Sequence, residues 1–205
     1  MVYLAIETCF SKASASIYKN GEILTKIENK PNNQSNSLTE MVKNLLEESK
    51  TEVKDITAVL TNKGAGSFTG IRVGMSFAEG FCFLSDMKKL YITSFGVVLG
   101  AFPKMSFKKD ILVILHAIRD TFYVQRFSCN FNEVSPPKYL SFNELEELIQ
   151  KEGVEIFGNF EGYDFGIKPI LSGVEVNSQN IINAFLTLPH LFTEDNTPLY
   201  IRSAV

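Results

Sequence analysis

The residues best placed to do chemistry through the backbone are Gly64, Gly66 and Gly70, with Ser67 between them. They follow an apolar run, Ile56 to Thr61, that reads as a strand, and they open a nearly uncharged helical run at Ser67, a good N-cap residue. A strand, a glycine loop and a helix N-terminus suit an anion, because unpaired N–H groups and the helix dipole point at whatever fills the loop. The spacing Gly64-x-Gly66-x-x-x-Gly70 misses the dinucleotide fingerprint by one residue, and no Gly-Lys-Ser/Thr ends it. A tight, ligand-free strand-to-helix turn therefore fits equally well. The other chemistry-bearing residues are scattered. His116 and His190 are far apart, where a helix-borne metal needs histidines at i and i+4, so both read as structural or surface residues. No Ser or Cys sits in a nucleophile elbow. Cys9, Cys82 and Cys129 are widely separated and odd in number, which supports neither a disulfide framework nor a Cys-x-x-Cys site and points to a reducing compartment.

Elements that could position these residues follow from periodicity. Val2–Glu7, Ala13–Tyr18 and Glu22–Glu28 read as an antiparallel meander with an Asn20-Gly21 hairpin turn. Leu38, Met41, Val42, Leu45 and Leu46 mark one face of a helix over Ser37–Glu48. After the glycine loop and its helix come a strand at Lys89–Thr93 and a helical segment from Ser94. Three antiparallel strands feeding two crossover units make a ribonuclease-H-like half-domain, the α/β building block of the sugar kinase, Hsp70 and actin (ASKHA) group. The remainder repeats the plan in reduced form: strands at 111–118, 122–127 and 139–141, a helix at 141–151, a strand at 154–158 and a helix at 178–188. This gives two lobes, 1–103 and a smaller 104–205, with the boundary at Pro103-Lys104. On the long helix, Gly70, Gly74 and Ala78 form a strip of small residues beside an apolar strip of Ile71, Met75, Phe81 and Cys82. Either a central core helix or a helix paired across a subunit interface would satisfy this pattern. In the second case Leu38, Met41, Leu45, Gly70, Ile71, Gly74, Met75 and Ala78 form the contact.

The 205 residues are 45% hydrophobic, enough for one large domain or two small lobes. A net charge of −3 with basic residues only in small groups, Lys88-Lys89 and Lys104 with Lys108-Lys109, argues against unaided nucleic-acid binding. The N-terminus has no secretory pattern and no apolar run is long enough for a bilayer, so the expectation is cytoplasmic, without membrane contact.

The run Gly64-Ala65-Gly66-Ser67-Phe68-Thr69-Gly70-Ile71-Arg72-Val73-Gly74 resembles the GPGSFTGxRxG signature of the bacterial TsaB (YeaZ) family, with Ala65 in place of the usual Pro. Leu4-Ala5-Ile6-Glu7-Thr8 resembles the family's opening LALDT, and His116 to Tyr123 sits where it has DARRGEVY. Phe157-Gly158-Asn159 and Pro198-Leu199-Tyr200-Ile201-Arg202 resemble its FVGxG strand and PxYxR ending. The likeness runs from about residue 2 to residue 202.

This resemblance implies a non-catalytic subunit in the biosynthesis of N6-threonylcarbamoyladenosine at position 37 of tRNA. Its expected partners are a TsaD-type transferase, paired through the N-terminal helices, and a TsaE-type ATPase. It would form a homodimer when alone and meet tRNA only through the complex. No cofactor or metal is expected: the helix at 37–48 lacks the two histidines that hold the transferase's metal. The phosphate hairpin of the kinase group reads Asp-x-Gly-x-Thr/Ser, whereas this turn is Glu7-Thr8-Cys9-Phe10-Ser11, without the glycine and with the bulk of Phe10. That leaves Glu7, Thr8 and Ser11 as a degenerate hairpin, and makes an ATP-dependent kinase or ATPase, or a metal-dependent peptidase, the lesser alternatives. His116 replaces the family's aspartate, and Gln34-Ser35-Asn36 its His-Ser-Glu.

Overall fold

The computed structural model describes residues 1–10, 12–28, 34–102 and 107–201, the first three residues of the helix at 34–48 by backbone alone. Ser11, Arg202 and the Pro103-Lys104 boundary lie outside the described residues. The described residues divide into two compact units, Met1–Ala101 with Val176–Tyr200, and Phe102–Glu175 with Ile201.

The first unit holds a five-stranded sheet. Strands β1 (Val2–Glu7), β2 (Ser14–Lys19) and β3 (Glu22–Ile27) pair antiparallel; β4 (Ile56–Asn62) joins β1 in parallel, and β5 (Lys88–Ile92) joins β4, giving the order β3-β2-β1-β4-β5. Asn20 (φ 54°) and Gly21 (φ 90°) make the β2–β3 turn in the left-handed conformation that an Asn-Gly hairpin favours. Helices α1 (Gln34–Glu48) and α2 (Phe68–Cys82) enclose one core, in which Leu4, Ile6, Ala15 and Ile17 meet Leu38, Met41, Leu45 and Ala78. A third helix, α3 (Ser94–Leu99), follows β5.

The second unit repeats the opening of the first. Strands β6 (Ile111–His116), β7 (Thr121–Phe127) and β8 (Lys138–Ser141) pair antiparallel, α4 (Phe142–Glu152) crosses over, and β9 (Glu155–Asn159) runs parallel to β6, in the order β8-β7-β6-β9. A reciprocal Ser141–Glu144 capping box starts α4, and left-handed Gly153 (φ 60°) ends it. Leu145 and Ile149 bury against Ile114, Val124 and Ile156. Both units carry the ribonuclease-H-like strand plan of the actin-type fold.

One element departs from the sequence expectation. Helix α5 (Ser178–Thr187), assigned there to the second lobe, packs in the first unit on β1, β2 and α3. Small residues on the first sheet's other face make room for it. The Ser14 hydroxyl accepts from the Ser178 N–H at 2.9 Å, and the hydroxyls of Ser16 and Ser178 are 2.7 Å apart. At Gly100 a Cβ would come within 2.2 Å of the Asn180 carbonyl. Periodicity identifies the helix, but the residues that receive it lie far upstream, Gly100 80 residues before Asn180 and Ser14 164 before Ser178. No helix among the described residues is long and apolar enough to cross a membrane.

Candidate functional site

The glycine loop and the β1–β2 turn form one buried polar knot. Glu7, at the end of β1, is fully buried; its carboxylate accepts from the Cys9 N–H and from the Asn62 side-chain amide, each at 2.6 Å. The same Asn62 amide reaches the Ser94 hydroxyl at 2.8 Å, and its carbonyl accepts from the Gly64 N–H at 2.9 Å. Ser94 in turn donates to the Ala65 carbonyl. Burial pushes the Glu7 carboxyl up to about 7, against the opposing pull of Asn62 and the Cys9 and Phe10 backbone. The Cys9 thiol is raised first by burial and then by the Glu7 charge.

This knot fills the place that the strand–loop–helix pattern offered to an anion. The Ser67 N–H at the mouth of α2 donates to the Cys9 carbonyl at 2.7 Å, and the Ser67 side chain accepts from the Gly70 N–H at 3.2 Å. The Thr8 hydroxyl donates to the Gly70 carbonyl at 2.7 Å. Glycine is required where the strands of the knot touch: a Cβ on Gly66 would lie 2.4 Å from the Cys9 carbonyl, and one on Gly64 2.6 Å from that of Leu199. Of the two readings left open by the spacing, the geometry favours the structural turn.

The strip expected at an interface faces inward. Leu38, Met41, Leu45 and Ala78 belong to the core under β1 and β2, while Ile71 and Met75 pack with Cys9 and Tyr91. Gly70 and Gly74 are buried as well, and a Cβ on Gly74 would come within 2.4 Å of the Thr8 hydroxyl. The backbone whose close approach the small strip demands is thus the chain's own β1–β2 turn. What α2 leaves to solvent is the opposite stripe: Phe68 (54% exposed), Arg72, Ser76 and Gly80, running on to Phe83 (81%) and Leu84 (93%). These positions recur at i, i+4 and i+8 from Phe68, a signal present in the sequence but outweighed there by the small residues.

The stripe begins at a preassembled cluster. The rings of Phe68 and Tyr200 (37% exposed) are 5.0 Å apart between centroids; the Arg72 guanidinium lies 3.9 Å over the Phe68 ring and its Nε donates to the Tyr200 hydroxyl at 3.2 Å. Beside it opens a cavity of about 450 Å³ lined by Arg72, Met75, Ser76, Glu79, Asn196, Pro198 and Tyr200. The Glu79 carboxylate is saturated by donors, an ion pair from Lys89, the Tyr91 hydroxyl at 2.6 Å and the Asn196 amide at 3.3 Å. Those hydrogen bonds, Lys89 first, hold it below the usual carboxylate range. Residues 193–200 reach this place because the Leu199 N–H donates to the Lys63 carbonyl at 2.8 Å and Lys63 pairs with Asp195 at 3.1 Å.

Comparisons with known proteins agree with the signature. The family model described as TsaD, tRNA N6-adenosine threonylcarbamoyltransferase, matches residues 28–184. A protein of Buchnera aphidicola (Acyrthosiphon pisum), "tRNA threonylcarbamoyladenosine biosynthesis protein TsaB", is 27% identical over 75% of this chain and 69% of its own. Its namesake from Buchnera aphidicola (Schizaphis graminum) is 28% identical over 96% of both. The chain belongs to the TsaB (YeaZ) family. The crystal structure of YeaZ from Pseudomonas aeruginosa shares the fold, with a TM-score of 0.78 at 17% identity over 98% of this chain and 99% of that one. In this member of the family the signature from Gly64 to Gly74 forms the loop of the knot and the first turns of α2, and the Pro198–Tyr200 ending supplies one wall of the arginine cluster.

His116 ends β6 in the second unit. Its Nε2 faces the Arg119 carbonyl, and the Tyr163 hydroxyl lies 3.2 Å away. His190 lies in a short 3-10 helix of the first unit, Pro189–Leu191. Among the described residues no group of three His, Cys, Asp or Glu side chains could hold a metal ion.

Proposed function

We propose that this chain serves in tRNA threonylcarbamoyladenosine biosynthesis as a non-catalytic subunit that holds and activates a TsaD-type transferase. The relatives' names supply the pathway. The observation that carries the non-catalytic reading is the filled knot: the Cys9 carbonyl takes the Ser67 N–H, and Gly66 lies too close to Cys9 to leave a phosphate cradle. A kinase or ATPase of this fold would need its hairpin carboxylate turned toward a nucleotide, whereas Glu7 is spent on Asn62 and Cys9. Helix α1 carries no histidine, which speaks against both transferase and peptidase chemistry there.

The partner surface in this reading is the outer stripe of α2 from Phe68 to Leu84, with the inner strip as its support. The same surface would serve a homodimer when the chain is alone. A TsaE-type ATPase would join the pair, and tRNA would be met only through the complex, in the cytoplasm. Co-purification on a tagged copy expressed at its native level tests this, with partners identified by mass. Recovery of a TsaD-type protein, and loss of threonylcarbamoyladenosine from tRNA on depletion of the chain, is expected. ATP turnover by the purified chain would sink the non-catalytic reading.

A further inference from the structure

The Arg72 cluster has the features of a receptor for one acidic group. Stacking on Phe68 and the hydrogen bond from Nε to Tyr200 fix the plane of the guanidinium. Its two terminal nitrogens have no acceptor among the described residues, although they edge a cavity of about 450 Å³. Of the two charged residues lining that cavity, Glu79 is already neutralised by Lys89 and two further donors, so Arg72 keeps the unanswered charge. A planar fork held in one orientation matches a carboxylate with two parallel N–H···O bonds. Met75 and Pro198 give the cavity apolar walls for the stem of such a side chain.

We propose that Arg72, braced by Phe68 and Tyr200, is the anchor that receives an acidic side chain of the partner protein. This rests on the reading of the α2 stripe as the partner surface. Exposed aromatic and arginine side chains around a pocket are the composition in which binding energy concentrates at protein interfaces. A polyanion fits less well. With Glu79 paired to Lys89 and Asp195 to Lys63, the adjoining cavity keeps Asp86 and Glu194 against Lys88, one net negative charge where a string of phosphates needs a basic face.

The test is the affinity of the purified TsaD-type transferase from the same organism for the wild-type chain and for Arg72→Ala, Arg72→Lys and Tyr200→Phe, at two salt concentrations. Circular dichroism and a melting curve check that each variant is folded. Loss of a desolvated charge partner predicts about tenfold weaker binding or more for Arg72→Ala. Arg72→Lys keeps the charge but neither stacks nor forks, so it should recover only part of that affinity. Tyr200→Phe frees Nε without removing the ring and should give a smaller loss than Arg72→Ala. Wild-type affinity in folded Arg72→Ala and Arg72→Lys overturns the anchor while the partner reading stands. A wild-type chain that does not bind the transferase overturns both. A single-stranded RNA oligonucleotide or ATP that binds the wild type and is lost with Arg72→Ala would make the occupant a phosphate and overturn the carboxylate.

Discussion

At the end of β1 the Glu7 carboxylate is fully buried, and the turn beyond it is clamped by α2 through the Ser67 N–H and the Gly70 carbonyl. At the end of β6, the equivalent position in the second unit, His116 is only half-buried. The turn beyond it stays exposed: besides its own bonds, from the Ala117 N–H to the Thr121 carbonyl and the Thr121 hydroxyl to the Ile118 carbonyl, it is held by the Tyr163 hydroxyl on the Arg119 carbonyl and the Phe142 N–H on the Asp120 carbonyl, each at 2.9 Å, with Arg119 in the left-handed region (φ 52°). The parallel strands that follow both end in asparagine. Asn62 ties Glu7 to Ser94, whereas the Asn159 amide donates to the Val174 carbonyl at 2.8 Å. One strand plan thus yields a sealed turn and an open one. A glycine loop and a long helix follow β4 and close over the turn. Beyond β9 the described residues of the second unit form no helix, and the next helix, α5, belongs to the first unit.

The largest test of this contrast is pH. Glu7 has its carboxyl raised from an ordinary 4.5 to about 7, so between these values the folded chain holds a proton that the unfolded chain has lost. Its contribution is therefore fully present below about pH 4.5 and is lost as pH rises through about 7, in total about 3 kcal/mol by linkage. Glu7→Gln should remove that slope and leave the variant relatively more stable at pH 8 than at pH 5. Denaturant unfolding of both proteins across this range measures it, and parallel curves would mean that the knot carries no buried proton.

Next in size is the pair of asparagines. Asn62→Ala strips a fully buried carboxylate and the Ser94 hydroxyl of their shared donor and should cost about 2–3 kcal/mol. Asn159→Ala removes one neutral hydrogen bond at a half-buried position and should cost about 1 kcal/mol. Equal losses would erase the distinction between sealed and open ends.

Gly74→Leu sharpens the account of why the first turn is sealed. A side chain there strikes the Thr8 hydroxyl, and overpacking should cost about 1–3 kcal/mol of monomer stability. Ser76→Leu, two residues on and on the exposed stripe, should stay within about 0.5 kcal/mol of wild type. A stable, folded Gly74→Leu chain with weakened self-association would return the small strip to an interface.

The smallest effect is kinetic. Cys9 and Cys82 are buried with raised thiols, and Cys129 is partly exposed, so a thiol reagent in native buffer should modify Cys129 first and the other two only on unfolding. Early labelling of Cys9 would show that the knot opens readily.

The sequence by itself determined the elements, because each is written in local chemistry. Asn20-Gly21 set a hairpin, Ser67 capped a helix, and Leu38, Met41 and Leu45 marked a helical face. Together with the signature around Ser67 they were enough to specify the strand plan and the family. Tertiary structure decided which way the small strip faced, because Gly70, Gly74 and Ala78 record only that some backbone approaches; the Thr8 turn that does so is more than 60 residues upstream. It likewise decided that α5 returns to the first sheet, that Glu7 is buried rather than presented, and that Phe68, Arg72 and Tyr200 meet. Each of these joins residues distant along the chain, and periodicity within a segment carries no information about its neighbour in space.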